Sequence, residues 1–516
     1  MKTWAIIYLG TLYLVLQTVA KDATEWKSRI IYQLLTDRFA PSHSDPTTPC
    51  ANLRGWCGGT FKGIQRRLDY IRQLGANAIW ISPIVLNTEG GYHGYWAKDI
   101  YQTESHFGTA QDLKELVAEC HEQDIWVMVD VVPNHMGYPP GCDWNPCDRE
   151  KLLNVTGLVP FDQLDHYHSL CAIEDYNNQT QVEICRLANL PDLNQTVPFV
   201  RKTLLDWITN LTAEYNFDGY RVDTVRHIAK DFWPEYQSAA GVFLTGEVAR
   251  EDTAYVADYQ NYMDSVLNFP TYGALRSVFN DGQNMTVLRD SLREQKRMFK
   301  DVTVLGLFSE NHDKHRFLNL TNDMSKYKNV LVYTVLGEGI PIIYYGSEQA
   351  FSGGGDPDNR ESLWPRGNSS STMFQYLKSL ISYRKQTGSF VDNPIRELLV
   401  TKMVFVFSRG TQHETLVFMT NVGKGVVVTI KMEGKHLSGI KDGTEYTDIF
   451  SEKKLVIKEC QLQCVLSDGE PAAFRRSKAG TGRACNTSSR ASAVSLGISE
   501  CFLILLNFLL LSYHSN

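Results

Sequence analysis

The chain has 516 residues, 43% apolar and 21% charged, a globular profile too long for one ordinary domain and long enough for a large core. Its formal net charge of −7 leaves no basic footprint, so nucleic acid is excluded as an expected partner. A monomer is expected.

Residues 1–20 carry Lys2, an apolar run and Thr18-Val-Ala20 as a small-residue cleavage site. This is the pattern of a secretory signal, and the run is short for a membrane span. Secretion makes two further expectations. Asn154, Asn178, Asn194, Asn210, Asn284, Asn319 and Asn368 each start an Asn-x-Ser/Thr acceptor site. The cysteines should pair: Cys50 with Cys57, Cys142 with Cys147 and Cys171 with Cys185 are close enough in sequence to be local bridges. Cys460, Cys464 and Cys485 leave one odd thiol, and Cys120 sits on an apolar helix face as a buried free thiol.

From residue 30 apolar runs alternate with amphipathic helical patterns. Residues 30–39 read as a strand, and 61–74, with Ile64, Leu68, Ile71 and Leu74 at helical spacing, as a helix stopped by Gly75. Strand 76–84, helix 112–123 and strand 125–132 follow. The last is apolar almost throughout, as strands buried on both faces of a parallel sheet are. After Asn134-His135 the rhythm breaks. Residues 139–196 are rich in Pro, Asn, Asp and Cys without helical period, a long insertion of the kind that is usually functional. The rhythm resumes with helix 198–215, strands 217–225, 242–248 and 265–268, helix 285–299, strand 304–309, helix 326–336, strand 340–346 and helix 372–386.

Eight strands, most followed by helices, argue for a (β/α)8 TIM barrel with an irregular insertion after its third strand. From about residue 393 the pattern becomes alternating β segments at 402–407, 415–420 and 425–432, a C-terminal antiparallel β-sandwich domain. The expected organisation is a signal over 1–20, a barrel over 21–133 and 197–390, an insertion over 134–196, and a β domain over 391–475. A Ser/Ala/Gly-rich linker over 476–498 leads to an apolar tail over 499–516. Small residues, a polar spacer and a terminal apolar tail form the signal for a glycosylphosphatidylinositol (GPI) anchor, with Asn486 as the attachment residue. The expected destination is the outer face of the plasma membrane, with transfer to the cell wall as a further possibility.

The polar residues cluster at predicted strand ends. Asp130 to His135, Arg221 to His227, Glu247, and Glu310 to Asp313 all fall where such barrels build active sites. Arg221 and Asp223, two apart on one strand, face the same way, and the guanidinium is expected to hold the carboxylate ionised. That suits a carboxylate nucleophile.

These stretches, Asp130-Val-Val-Pro-Asn-His135, Gly219-Tyr-Arg-Val-Asp-Thr-Val-Arg-His227, Gly246-Glu-Val248 and Ser309-Glu-Asn-His-Asp313, resemble the hallmark regions of the α-amylase family of glycoside hydrolases. The resemblance extends to Tyr32-Gln-Leu-Leu-Thr-Asp-Arg-Phe39, Tyr92-His-Gly-Tyr-Trp96, Leu190-Pro-Asp192 and Asp356-Pro-Asp-Asn-Arg360 and is nearest to secreted fungal α-amylases and their GPI-anchored relatives. It implies Asp223 as nucleophile, Glu247 as general acid/base and Asp313 as transition-state stabiliser, acting on an α-1,4-glucan or malto-oligosaccharide. Glu247 follows an apolar run, so burial and anionic neighbours should raise its pKa. The resemblance assigns sugar contacts to His93, Tyr95, Trp96, His135, Arg221, Arg226, His227, His312, Asp356 and Arg360. It assigns a Ca²⁺ site to Asn134, Glu183, Asp192 and His227, with Glu183 and His227 contributing backbone carbonyls; mixed oxygen ligands suit this ion.

Lys314-His315 stands where fungal amylases usually have Asn-Pro, and Arg226 replaces a usual Lys. The first is next to Asp313 and the second on the acceptor side, where Arg and Lys are not interchangeable; together they leave the nature of the acceptor open. Hydrolysis is the first expectation. A 4-α-glucanotransferase of the same chemistry, acting in cell-wall synthesis or remodelling, is the alternative. A catalytically inactive binding subunit is disfavoured by the intact carboxylates.

Overall fold

A computed structural model describes residues 21–139, 141–142, 147–485 and 494–498; the signal segment, Asn486 and the tail over 499–516 lie outside the described residues. Eight short parallel strands form its centre: β1 (Ile31–Leu34), β2 (Ala78–Ile81), β3 (Trp126–Val131), β4 (Gly219–Val222), β5 (Phe243–Gly246), β6 (Ser265–Val266), β7 (Gly306–Leu307) and β8 (Ile340–Tyr344). They pair in the order β6-β5-β4-β3-β2-β1-β8-β7, and a parallel bridge between Leu267 and Gly306 joins the two ends. The expected barrel is present. All eight strands are buried along their whole length, because helices cover the outside and side chains fill the inside.

The barrel floor is plugged from the N-terminal side. A one-turn helix, Ala23–Trp26, is capped by Asp22 and drives Trp26 under the strands. The indole is fully buried, stacks on Phe243 at 5.2 Å and donates through Nε1 to the Asp218 carbonyl at 3.1 Å. Packing below leaves the opposite, C-terminal rim free for polar side chains.

Several elements differ from the sequence reading. The strand expected over 30–39 stops at Leu34, and Thr36–Phe39 is a helical turn. Asp37 causes the bend: its carboxylate accepts from the Cys57 and Gly58 amides and pairs with Arg38 at 2.9 Å. The helix expected over 61–74 is two, Phe61–Arg66 and Leu68–Leu74, broken at Arg67. The Arg67 side chain there reaches Asp45 and the Gly367 carbonyl. Gly75 ends the second helix at φ 103°, in the left-handed region. By contrast, Pro198–Tyr215 and Thr372–Gln386 have the expected bounds. A hairpin, Val85–Asn87 with Ala97–Thr103, was not expected, and its loop carries the Tyr92–Trp96 motif.

The insertion contains two short helices, Arg149–Leu152 and Gln179–Ile184, where no helical period was read. Disulfides link Cys142 to Cys147 and Cys171 to Cys185, and a third links Cys50 to Cys57. Asp99 of the hairpin bridges Val159, so insertion and hairpin form one wall above the barrel rim.

The C-terminal part is antiparallel, with a six-stranded sheet and a three-stranded sheet around its own apolar core. Its ordered chain passes residue 475. Ala472–Lys478 is a strand, and Val494–Ile498, inside the expected linker, pairs with Val426–Glu433. Cys460 pairs with Cys485, and among the described residues Cys464 and Cys120 are buried free thiols. Of the acceptor asparagines, Asn154, Asn178, Asn210, Asn284, Asn319 and Asn368 are exposed and Asn194 is half-buried. Among the described residues no helix is long and apolar enough to cross a membrane.

Candidate active site

The strand register brings the polar residues together. Asp130 on β3 lies beside Arg221 on β4, which lies beside Thr245 on β5. Glu247 follows β5 directly, and its amide donates to the Val222 carbonyl at 2.8 Å. The chain therefore delivers one guanidinium and three carboxyls to a single spot on the rim.

Arg221 is the hub. Its Nη1 donates to Asp130 Oδ1 and Oδ2 at 2.8 and 3.0 Å and to Asp223 Oδ1 at 2.7 Å. Its Nη2 lies 3.1 Å from Glu247 Oε1. The guanidinium is 1% exposed, and the Asp223 and Glu247 side chains are 9% and 10% exposed. One buried cation facing three carboxyls leaves excess negative charge, and retaining a proton relieves it. Burial raises Glu247 to about 7, against the pull of Arg221 and helped by Asp223 and Asp313. Burial also raises Asp223 to about 6; Arg221 opposes this, while Asp130 and Asp313 add to it. Arg221 draws Asp223 toward the ionised form, as expected, but the guanidinium is shared, and burial outweighs its share. Burial beside Asp223 and Asp313 thus favours a protonated Glu247.

Asp313 stands across from this pair, with its side chain 38% exposed. Burial pushes its carboxyl up, but Arg360, Arg221 and Lys314, with the polar edge of His312, outweigh burial and hold it below the usual range. Arg360 Nη2 and His312 Nε2 approach it at 3.5 and 3.4 Å. His312 Nδ1 lies 2.9 Å from Gln33 Nε2, which can only donate, so the ring proton sits on Nε2, facing Asp313. Burial, Arg221 and Arg360 lower His312 to about 3, so this ring is neutral.

The aromatic floor is tied to the same hub. Tyr95 donates its hydroxyl to Asp130 Oδ2 at 2.7 Å and stacks on His312 with centroids 5.2 Å apart. His93 accepts the Tyr95 amide at Nδ1, which leaves Nε2 as its protonated nitrogen, and its ring meets Trp96 edge-on at 4.6 Å. A cleft of about 1140 Å³ opens beside them, lined by Tyr92, His93, Trp96, Tyr138 and Asp356 among others. Asp356 Oδ1 pairs with Arg360 Nη1 at 3.1 Å. His135 has both ring nitrogens engaged, Nε2 at 3.2 Å from the Tyr95 carbonyl and Nδ1 at 3.2 Å from Asn134 Nδ2. In this structure it holds the Tyr95 backbone rather than offering a free donor.

The residues expected to hold calcium lie where insertion meets barrel. His135 bridges Asp192, and the Asn134 carbonyl accepts the Leu193 amide. Asn134 Oδ1 and Asp192 Oδ1 are both buried without a hydrogen-bond partner. Two orphaned oxygens at one junction are costly unless a cation or donor meets them, so the donor set fits a hard, oxygen-seeking ion. Asp192 Oδ2 is held by His168 Nδ1 at 2.7 Å. His227 Nδ1 meets the Val182 carbonyl at 3.1 Å, and the Glu183 side chain accepts from Gln179. Both side chains thus have neighbouring partners, and the Glu183 and His227 carbonyls are the atoms expected to contribute.

The sequence reading singled out neither Asp130 nor Gln33 as a site residue. Asp130 had a signal, since it opens one of the strand-end motifs. Gln33 had one too, as the second residue of the family-like stretch Tyr32-Gln-Leu-Leu-Thr-Asp-Arg-Phe39.

Comparison with known proteins agrees with this geometry. The α-amylase catalytic-domain family matches residues 33–386. Alpha-amylase 1 of Lipomyces kononenkoae is 41% identical over 398 residues, 74% of this chain but only 62% of that protein. Alpha-amylase 2 of Schwanniomyces occidentalis is 38% identical over 437 residues, 81% of this chain and 85% of the relative. The solved structure of an alpha-amylase from Malbranchea cinnamomea superposes with a TM-score of 0.82 at 36% identity, covering 88% of this chain and 97% of that one.

Proposed function

Because the chain belongs to the α-amylase family of glycoside hydrolases, we propose that it cleaves internal α-1,4-glucosidic bonds of a glucan with retention of configuration. The observation that carries this reading is the single guanidinium of Arg221 shared by Asp130, Asp223 and Glu247. Asp223, whose carboxylate accepts from Arg221 at 2.7 Å, attacks the anomeric carbon, while Glu247 gives its proton to the departing oxygen. The carboxylate of Asp313 faces the cationic sugar that develops between them. The neutral His312 and His93 offer Nε2–H donors to sugar hydroxyls, and Tyr95 and Trp96 offer ring faces. After the reducing fragment leaves, Glu247, now ionised, takes a proton from the acceptor, and the acceptor oxygen displaces Asp223.

Asn134, Asp192 and the carbonyls of Glu183 and His227 would hold calcium. The ion would neutralise Asp192 and tie the insertion to the barrel. The four disulfides support residence in an oxidising, extracytoplasmic compartment. The GPI-type signal supports surface anchoring, with exposed acceptor asparagines carrying glycans.

Transfer to a second glucan is the alternative outcome of the same intermediate. The replacement of the usual Lys by Arg226 on the acceptor side supports it. Maltoheptaose decides between the readings. Only shorter chains mean hydrolysis, longer chains mean transfer, and unchanged substrate would overturn both.

A further inference from the structure

The insertion and the helix that follows it share an exposed apolar patch. Leu164 is 52% exposed, and Phe199, in the first turn of helix Pro198–Tyr215, is 47% exposed. The Phe199 ring is held from behind. It stacks on His166 with centroids 4.8 Å apart and meets the fully buried Phe161 at 6.2 Å. Asp162, Gln163 and Asp165 form an exposed polar rim. Asn194 stands at the edge of this patch. Segments 166–168 and 192–194 run side by side, with the Asn194 amide donating to the His166 carbonyl at 2.9 Å and the His168 amide to the Asp192 carbonyl at 3.0 Å. Asn194 opens the acceptor sequence Asn194-Gln-Thr196. Its Oδ1 accepts from the Thr196 amide and hydroxyl at 3.0 and 2.6 Å, while its Nδ2 makes no hydrogen bond among the described residues. The side-chain nitrogen to which a sugar would be joined is therefore free, beside the residue on which Phe199 stacks.

We propose that Asn194 is N-glycosylated and that the first sugar of its glycan, an N-acetylglucosamine, seats on Phe199 and Leu164 and covers the patch. This rests on the secretory reading above and extends it from acceptor sequences to a seat in the fold. In the transfer, the Asn194 amide nitrogen bonds to the anomeric carbon of a lipid-diphosphate-linked oligosaccharide. The bond from that carbon to the diphosphate oxygen breaks, and the lipid diphosphate leaves with the bonding pair. The nitrogen gives one of its two protons to a base of the transferring enzyme. Pyranose faces and the N-acetyl methyl are apolar enough to stack on an aromatic plane, and the sugar hydroxyls suit the polar rim. The covalent tether makes the contact intramolecular, so a stacking too weak to hold a free sugar is enough. A second copy of the chain would also cover an apolar patch, but an oligosaccharide on residue 194 stands in its way.

The test uses the full chain secreted from a glycosylating host, with each acceptor read by glycopeptide mass spectrometry. Asn194 should carry glycan. An amidase that cuts the sugar–asparagine bond is then applied to the native protein. Phe199→Ser, which keeps the acceptor, should speed release at Asn194 by roughly threefold to tenfold, the factor expected for one aromatic stacking contact. Release at the other occupied acceptors should not change. Leu164→Ser should act in the same direction and decides the matter if Phe199→Ser does not fold. Asn194→Gln should uncover the patch, so that the protein binds more of an apolar fluorescent dye, and adding Phe199→Ser should reverse this. A bare Asn194 in a chain glycosylated elsewhere, or release at Asn194 unmoved by both serine variants, overturns the proposal. A dimer of the glycosylated chain that Phe199→Ser disperses also overturns it, because the patch then belongs to a second copy. Glycan at none of the acceptors would instead sink the secretory reading, and this inference with it.

Discussion

Replacing Asp130 with asparagine removes one anion from the Arg221 hub while keeping the shape. Asp130 and Asp223 bond the same guanidinium nitrogen, so their nearest oxygens are close neighbours. At an effective dielectric of about 20, two unit charges roughly 5 Å apart repel by about 3 kcal/mol. That is about two pKa units. The Asp130 charge raises Asp223, which stands at about 6. Without it Asp223 should ionise at lower pH, and the acid limb of the kcat/KM profile should move down by about one to two units. Glu247 interacts more weakly with Asp130, so the basic limb moves down by less. The peak rate should fall, because Arg221 gives up a charge-assisted bond worth about 1.5–3 kcal/mol and Tyr95 loses its ionised acceptor. The assay is reducing-end release from maltoheptaose across pH 3 to 9 in the unmodified chain and in Asp130→Asn. An acid limb that stays in place or moves upward refutes the reasoning, since it would mean that the Asp130 charge does not act on the nucleophile.

Other consequences are equally direct. Glu247→Gln cannot give or take the proton, so the basic limb set by a group at about 7 should vanish along with most of the rate, and activated donors with good leaving groups should be spared in the first step. Calcium chelation should lower the thermal midpoint of the unmodified chain. It should have little further effect on Asp192→Ala, which already lacks the orphaned carboxylate. Trp26→Ala should cost about 3–5 kcal/mol through the cavity left under the barrel, read as an earlier urea transition. Removing the Cys460–Cys485 bridge, with sequence separation 25, by a double change to serine should cost the C-terminal part about 3–4 kcal/mol. Limited proteolysis there should accelerate.

The barrel was legible because its signals are strong: apolar runs such as 125–132 at β3, an amphipathic stripe over Pro198–Tyr215, and motifs at strand ends. Helices Trp233–Ala240, Thr253–Tyr259 and Phe269–Phe279 were not read. The last is buried on nearly all sides and so shows no stripe. The catalytic residues were legible as motif positions, but their protonation order depended on geometry. From sequence, Arg221 was a private partner of Asp223; in space it is shared three ways, and burial then dominates. The Cys460–Cys485 pairing needed the fold, since three cysteines with one odd thiol permit any pair.

The central claim is that Asp223 forms a covalent bond to the sugar. Incubation of the protein with a fluorinated maltosyl fluoride, whose glycosyl-enzyme forms faster than it breaks down, followed by peptide mass spectrometry, tests this directly. The account predicts a sugar adduct on the peptide containing Asp223, absent from Asp223→Asn. An adduct on another residue, or product release with inverted configuration and no adduct, would contradict it.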